Sequence, residues 1–443
     1  MRKILPLFIV LLMGAITQAQ EIIPCGTVDY LRQLEEEIPG LNETLDQNYR
    51  ESAAHAQEKT LQKSAPLDTL YEITVVWHVV WNTPIQNIPD SLIMSQMEAL
   101  NECFNRENAD TVKTRDIFKP VAGKAHIRFK LAEQDPDGNA TNGINRVNTS
   151  LASFYSGGNT LNNDYVKKSV AGGVNAWDPN RYLNIWVCNL SFQGITTLLG
   201  YAFPPPGANF WTSQSYVENY RQGVVLHYTA VGRNNPYHTS PSFNTAEKTA
   251  VHEVGHFLGL RHTWGDARTG QDGCQIDDYL SDTPMENTSA QGSICLYGRN
   301  TCVESPNDLP DQVENYMDYS NGPCTNMFTK QQVEVMRYNL HNLRAELPIR
   351  TFVEVPHRDF DNTSVYPNPT PGKMTFVIDE PMEDEPVHVV MTDLLGRVVM
   401  EHDAISDFEI TVDASWLAAG VYKVRMTSDL RGELMNTTVV KYD

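Results

Sequence analysis

The sequence predicts an α/β domain followed by a small all-β domain, and three observations carry that reading. Between Ile73 and Tyr228, strand-like apolar runs are interspersed with helical periodicity. A helix then carries His252-Glu-Val-Gly-His256. From Val365 onward, short runs alternate apolar with polar residues and are separated by turn residues, the pattern of a β-sandwich of about 80 residues.

The N-terminus opens with Arg2 and Lys3, an apolar run from Ile4 to Ile16 and the small-residue site Thr17-Gln18-Ala19, so residues 1–19 read as a secretory signal peptide. The run is too short to span a bilayer, and no other stretch approaches that length. Cys25 follows Ile22-Ile23-Pro24 rather than the small residues of a lipid-attachment site. Residues 28–67 are polar, helix-prone and rich in Glu, Gln and Ala, and read as propeptide and linker. Arg50 lies there, in a stretch expected to be exposed, and is the expected cleavage point. The expected division is signal peptide 1–19, propeptide 20–50, catalytic domain 51–350 and sandwich 351–443.

Strands are expected at Ile73–Trp81, Ala125–Leu131, Leu183–Asn189 and Val224–Tyr228, with a helix over Pro89–Asn105. His78, inside the first strand, reads as a core histidine. Gly200-Tyr-Ala-Phe-Pro-Pro-Pro reads as a loop bordering the cleft. Asn244 and Glu247 resemble a capping box, and Val251, Val254 and Leu258 give the next helix an apolar stripe. Past Pro348, strands are expected at Met374–Ile378, Val387–Thr392, Arg397–Met400, Phe408–Val412 and Tyr422–Met426.

The chemistry concentrates in His252-Glu-Val-Gly-His256-Phe-Leu-Gly259-Leu-Arg-His262. Histidines four apart project from one helix face and reach a single metal ion, and Glu253 reaches the water on that metal. Gly259 stops the helix in a left-handed conformation, so the chain turns back and His262 supplies the third nitrogen. Three ligands leave a fourth position open, which marks a catalytic zinc.

Downstream lies Asn315-Tyr-Met317-Asp-Tyr319-Ser. With HEVGHFLGLRHTW, the DDYLSDTP loop and Cys324, it resembles the pappalysin family of metzincin peptidases over roughly residues 70–347. The resemblance implies an α/β fold with a twisted mixed sheet, two long helices and a zinc cleft. It also implies zinc endopeptidase activity on protein or peptide substrates. Met317 would be the apolar floor under the histidines, and Tyr319 would hydrogen-bond the developing oxyanion. Calcium is implied in the loops, with Asp277, Asp278 and Asp282 as candidate ligands. Arginine-selective members place an acidic residue five positions after the turn methionine; Gly322 stands there, so that preference is not carried over.

Seven cysteines in an exported chain leave an odd one. Cys274, Cys295, Cys302 and Cys324 allow three connectivities, and the resemblance implies Cys274–Cys302 with Cys295–Cys324. Cys103 and Cys188 either form a third bridge or stay buried thiols. A thiolate is a strong zinc ligand, so Cys25 delivered by a propeptide would fill the open position and hold the enzyme latent, as a Cys-Gly pair does in relatives; Cys25-Gly26 fits. Tyr366-Pro-Asn-Pro-Thr-Pro-Gly, Asp393-Leu-Leu-Gly-Arg and Leu417-Ala-Ala-Gly-Val-Tyr resemble the sorting domain of type IX secretion, whose machinery is then a partner; a generic substrate-binding β-module is the alternative. With 34 basic against 55 acidic residues, nucleic acid and anionic membrane are disfavoured as partners. The competing function is a secreted adhesin on an inactive peptidase fold.

Overall fold

The computed structural model describes residues 21–61, 69–157, 164–194, 196–205, 219–238, 247–267, 270–291, 294–304, 306, 308–352, 364–377, 385–406, 409–428 and 432–442. The signal peptide reading lies outside them. Two compact units result, one holding described residues 21–61 and 71–350, the other residues 69–70 and those from 351 on.

The first unit opens with β1 (Glu21–Ile23), α1 (Thr27–Glu37) and α2 (Leu41–Leu61). The linker reading of this segment is corrected: Tyr30, Leu31, Leu34, Leu41 and Leu45 form a narrow apolar stripe at helical spacing and are buried with Trp186, Tyr201 and Phe203. The polar composition of the other faces hid the stripe. Arg50 is exposed as expected, and it sits inside α2, where it pairs with Asp46 at 2.8 Å.

The chain continues through β2 (Thr69–Trp81), α3 (Asp90–Phe104), β3 (Ile127–Leu131), β4 (Ile144–Asn148), β5 (Leu183–Cys188), β6 (Ser191–Phe192), β7 (Thr196–Leu198), β8 (Gly200–Ala202), β9 (Val224–His227), α4 (Lys248–Phe257), α5 (Lys330–Asn342) and β10 (Pro348–Phe352). The main sheet runs β10-β2-β5-β9-β8, with β3 and β4 paired to successive parts of β2. The pairs β2–β5 and β5–β9 are parallel, in registers such as Val75↔Leu183 and Ile185↔Val224. Every residue of β5 is buried, as a parallel strand covered on both faces requires. Gly200–Ala202, expected as loop, is instead an edge strand antiparallel to β9, ended by Pro204 and Pro205. Beside it, β1 pairs parallel with β7, so the N-terminal segment joins the rim of the site as an added strand.

The second unit has β11 (Ser364–Tyr366), β12 (Lys373–Val377), β13 (Glu385–Thr392), β14 (Val398–Ser406), β15 (Glu409–Asp413), β16 (Gly420–Ser428) and β17 (Gly432–Lys441). Two antiparallel sheets, β11-β12-β15 and β14-β13-β16-β17, share a core that includes Phe376, Val389, Val412, Val424 and Val439. The expected strand at Arg397–Met400 extends to Ser406; Ile378 and Phe408 fall outside the described residues.

Candidate metal centre

Helix α4, which carries His252, Glu253 and His256, is buried along its whole length. Its N-cap is Glu247, held at φ 60° with no side-chain cap bond; the expected capping box with Asn244 lies outside the described residues. At the other end, Gly259 has φ +96°, and a Cβ there would stand 2.1 Å from the Asn339 amide nitrogen. The turn is therefore glycine's by conformation and by space.

Each of the three histidines donates its Nδ1–H to a fixed oxygen. His252 Nδ1 meets the Tyr316 carbonyl at 2.7 Å, His256 Nδ1 the Leu260 carbonyl at 2.8 Å, and His262 Nδ1 the Asp266 carboxylate at 2.5 Å. These acceptors place the proton on Nδ1, which leaves a lone pair on each Nε2. The Nε2 atoms then face one another at 3.0–3.2 Å with no proton to share. Tetrahedral zinc with bonds of about 2.0–2.1 Å would set nitrogens about 3.3 Å apart, so the donor set fits that ion. Burial and mutual repulsion lower His252 well below its ordinary value and His256 to about 3, keeping those two rings neutral as ligands must be.

Asp266 was not singled out from the sequence. Burial alone would raise its carboxyl, but His262 and Arg261 outweigh that and hold it low. Trp264 stacks on His262 at 4.3 Å and 11° between planes, fixing the ring from its face. The signal was present in His262-Thr-Trp-Gly-Asp266, but its meaning depends on the turn at Gly265, φ +63°.

Met317 is fully buried, and a Cβ on Gly255 of α4 would lie 2.5 Å from its sulfur, so the methionine lies directly against the helix. Tyr319 packs edge-on against Trp264 and His262, with centroids at 4.6 and 4.9 Å. Its hydroxyl donates to the Cys25 carbonyl at 3.2 Å.

Cys25 Sγ and the three Nε2 atoms lie within 4.8 Å of one another. The thiol also reaches Glu253 Oε2 at 3.6 Å, and Thr27 Oγ1 donates to that same oxygen at 3.1 Å. Glu253 Oε1 is buried with no hydrogen-bond partner among the described residues, and burial pushes the carboxyl up to about 8. Gly26 makes the close approach possible: its N–H donates to the Gly200 carbonyl at 2.8 Å, and a Cβ would be 3.0 Å from Leu198.

The crosswise bridges Cys274–Cys302 and Cys295–Cys324 are formed. A third bridge is not: Cys103 and Cys188 are both free and buried, and Cys103 instead accepts from Lys248 Nζ at 3.3 Å. Asp277, Asp278 and Asp282 do not join a donor cluster comparable to that of the histidines among the described residues. Asp278 Oδ1 takes Leu280 N–H and the Thr283 hydroxyl, and Asp282 Oδ2 takes Gln331 N–H.

Comparison with known proteins agrees with this geometry. Residues 164–341 match the family model described as pregnancy-associated plasma protein-A, and residues 364–441 match the secretion system C-terminal sorting domain. Mature mirolysin of Tannerella forsythia in complex with a cleaved peptide is 42% identical, at TM-score 0.53 over 63% of this chain and 96% of its own. A promirolysin mutant from the same organism is 37% identical, at TM-score 0.57 over 73% of this chain and 96% of its own. An extracellular metalloprotease of Colletotrichum graminicola is 40% identical over 144 residues; the match spans 32% of this chain and just under half, 46%, of the fungal protein. Since nearly all of mature mirolysin is covered at that identity, and the family model spans the helix, the three histidines and the methionine turn, the chain belongs to the pregnancy-associated plasma protein-A, or pappalysin, family of metallopeptidases.

Proposed function

We propose that the chain is a secreted zinc endopeptidase made as a latent precursor. The observation that carries this reading is the convergence of residues 25–27 on every group the chemistry needs: the sulfur on the histidine triad, the Cys25 carbonyl on Tyr319, and Cys25 with Thr27 on Glu253. His252, His256 and His262 would hold zinc, which when bound lowers the pKa of water and polarises a carbonyl. Glu253 takes the proton of the attacking water and returns it to the leaving amine. Tyr319, freed from Cys25, donates to the carbonyl oxygen as charge develops on it. Met317 keeps the ground beneath the ligands apolar and fixed.

A small pocket beside His252, lined by Lys248, Thr249, Asp318, Ser320 and Gly322 and in the precursor also by Pro24, is our candidate for the start of a substrate side-chain subsite. Lys248 there is paired with Asp110 at 3.3 Å, and Gly322 brings no carboxylate, which supports withholding an arginine preference. We assign the propeptide to residues 20–50, the catalytic domain to 51–350 and the sorting domain to 351–443. Cleavage at Arg50 then requires α2 to unwind locally, because a peptidase cleft takes extended chain. For calcium, the support is that Asp278 Oδ2 and Asp282 Oδ1 are buried without a hydrogen-bond partner among the described residues.

The test is made on precursor and processed protein. Cys25→Ala should give a precursor that cleaves a test peptide sooner than wild type, and X-ray absorption should place sulfur about 2.3 Å from zinc in the wild-type precursor only. Unaltered activation together with an all-nitrogen and oxygen zinc shell in the wild-type precursor would remove the switch. Peptidase activity of the processed protein that survives a chelator would remove zinc.

A further inference from the structure

Helix α1 does more than follow the switch cysteine. It plugs Tyr30 into a socket whose walls all come from the catalytic unit. The hydroxyl donates to Asp164 Oδ2 at 2.7 Å and accepts from Lys167 Nζ at 3.2 Å. The ring lies 4.9 Å from Tyr201 and edge-on to Phe203 at 6.3 Å, with Lys167 Nζ 4.9 Å from its centroid. Two turns further along α1, Glu37 pairs with Arg221 at 2.5 Å.

The walls are held together without α1. Lys167 pairs with Asp164 at 3.0 Å, both almost fully buried, and also donates to the Arg221 carbonyl at 2.8 Å; Arg221 Nε reaches Asp164 at 3.3 Å. Two cations against one carboxylate leave the cage one positive charge in excess, which Glu37 offsets in the precursor. Removal of α1 therefore opens a preformed aromatic slot with the Asp164 carboxylate at its base to accept from a phenol, and at its rim the Arg221 guanidinium, which shares that one carboxylate with Lys167 and leaves a positive charge in excess. It stays joined to the cleft, since β8 carries both Tyr201 in the socket and Gly200, against which Glu253 packs.

We propose that in the processed enzyme this socket binds a tyrosine together with a carboxylate further along the same peptide, so that acidic, tyrosine-bearing segments of substrates are held beside the cleft. The inference rests on the reading that α1 leaves on activation. The shape and charge of the socket name the ligand, because α1 fills it with those two groups.

The experiment uses processed enzyme and a labelled acidic peptide of unrelated sequence with Tyr and Glu seven positions apart, alongside versions with Tyr replaced by Ala or Glu by Gln. Anisotropy should show binding that weakens at least about tenfold for either replacement. Arg221→Gln enzyme should no longer distinguish Glu from Gln, while keeping its circular dichroism spectrum and still preferring Tyr. Attached at either end of a cleavable core peptide, the same tail should lower KM and leave kcat alone. Equal affinity for all three peptides in wild-type enzyme would overturn the socket. Hydrolysis of the core peptide alone reports on the metal site, so failure of the peptidase reading is seen separately, and direct binding decides the socket in either case.

Discussion

The sheet and the cleft each bury histidines, and the two groups differ in what the second ring nitrogen meets. In the sheet, His78 has Asn184 Oδ1 at 2.9 Å on Nε2 and Asn145 at 3.4 Å on Nδ1. His227 has Thr229 Oγ1 at 2.7 Å on Nδ1 and Asn189 Oδ1 at 3.1 Å on Nε2. Both rings are satisfied by protein. In the cleft, the Nδ1 atoms are equally well partnered, yet the Nε2 atoms point at one another. Burial alone says nothing about function; an unshared set of lone pairs does, because only a cation relieves it.

The largest effect that would break this contrast is at Glu253. Glu253→Gln in processed enzyme should retain zinc and fold while turnover falls by about two to four orders of magnitude. His78→Gln should leave turnover within about threefold, since it touches only the sheet. Near wild-type activity for zinc-loaded Glu253→Gln would place the base elsewhere.

Tyr319→Phe comes next. A phenol that acts as charge develops should change kcat on the order of 100-fold and KM little. An unchanged kcat, with the ring packing on Trp264 kept, would show that the hydroxyl serves latency through Cys25 and not catalysis.

Sequence spacing made the histidines and Glu253 legible because local helix and turn geometry sets them, whereas the methionine turn was legible only through resemblance. Residues far apart in the chain were not legible in the same way. Tyr30 meets Asp164 across 134 positions, and no local pattern connects a polar helix to that acid. Gly200–Ala202 was read as loop because the following prolines dominate the local signal, whereas pairing with β9 decides its state. The bridges could be paired only through resemblance, since four cysteines carry no connectivity of their own.

Asp266→Asn sharpens the contrast at smaller scale. The carboxylate fixes the His262 tautomer at 2.5 Å, so its loss should weaken zinc about 10- to 100-fold in competition with a chelator. His227 has no such carboxylate among its partners in the described residues, and Thr229→Val beside it should leave zinc affinity unchanged. Equal zinc affinity in wild type and Asp266→Asn would mean that Trp264 stacking alone orients the ring.

The smallest effect concerns the sheet, and it is a matter of stability. Burial lowers His78 from 6.5 to about 4, with the Asn184 contact opposing the shift. The unfolded chain therefore takes up a proton near pH 6.5 that the folded chain refuses until about pH 4. Stability rises with pH wherever the unfolded state binds more protons, so this contribution is complete above pH 6.5 and is lost as pH falls toward 4. Its full size is on the order of 3 kcal/mol, with a slope of at most about 1.4 kcal/mol per pH unit. Equilibrium unfolding of the Glu253→Gln precursor, chosen so that self-cleavage does not intrude, should be compared with the same protein carrying His78→Gln. The double variant should lose the extra slope between pH 4 and 6.5 while keeping that of other groups. Parallel curves across this window would mean that His78 is protonated in the folded sheet, and the distinction between satisfied and ligand histidines would then need a different basis.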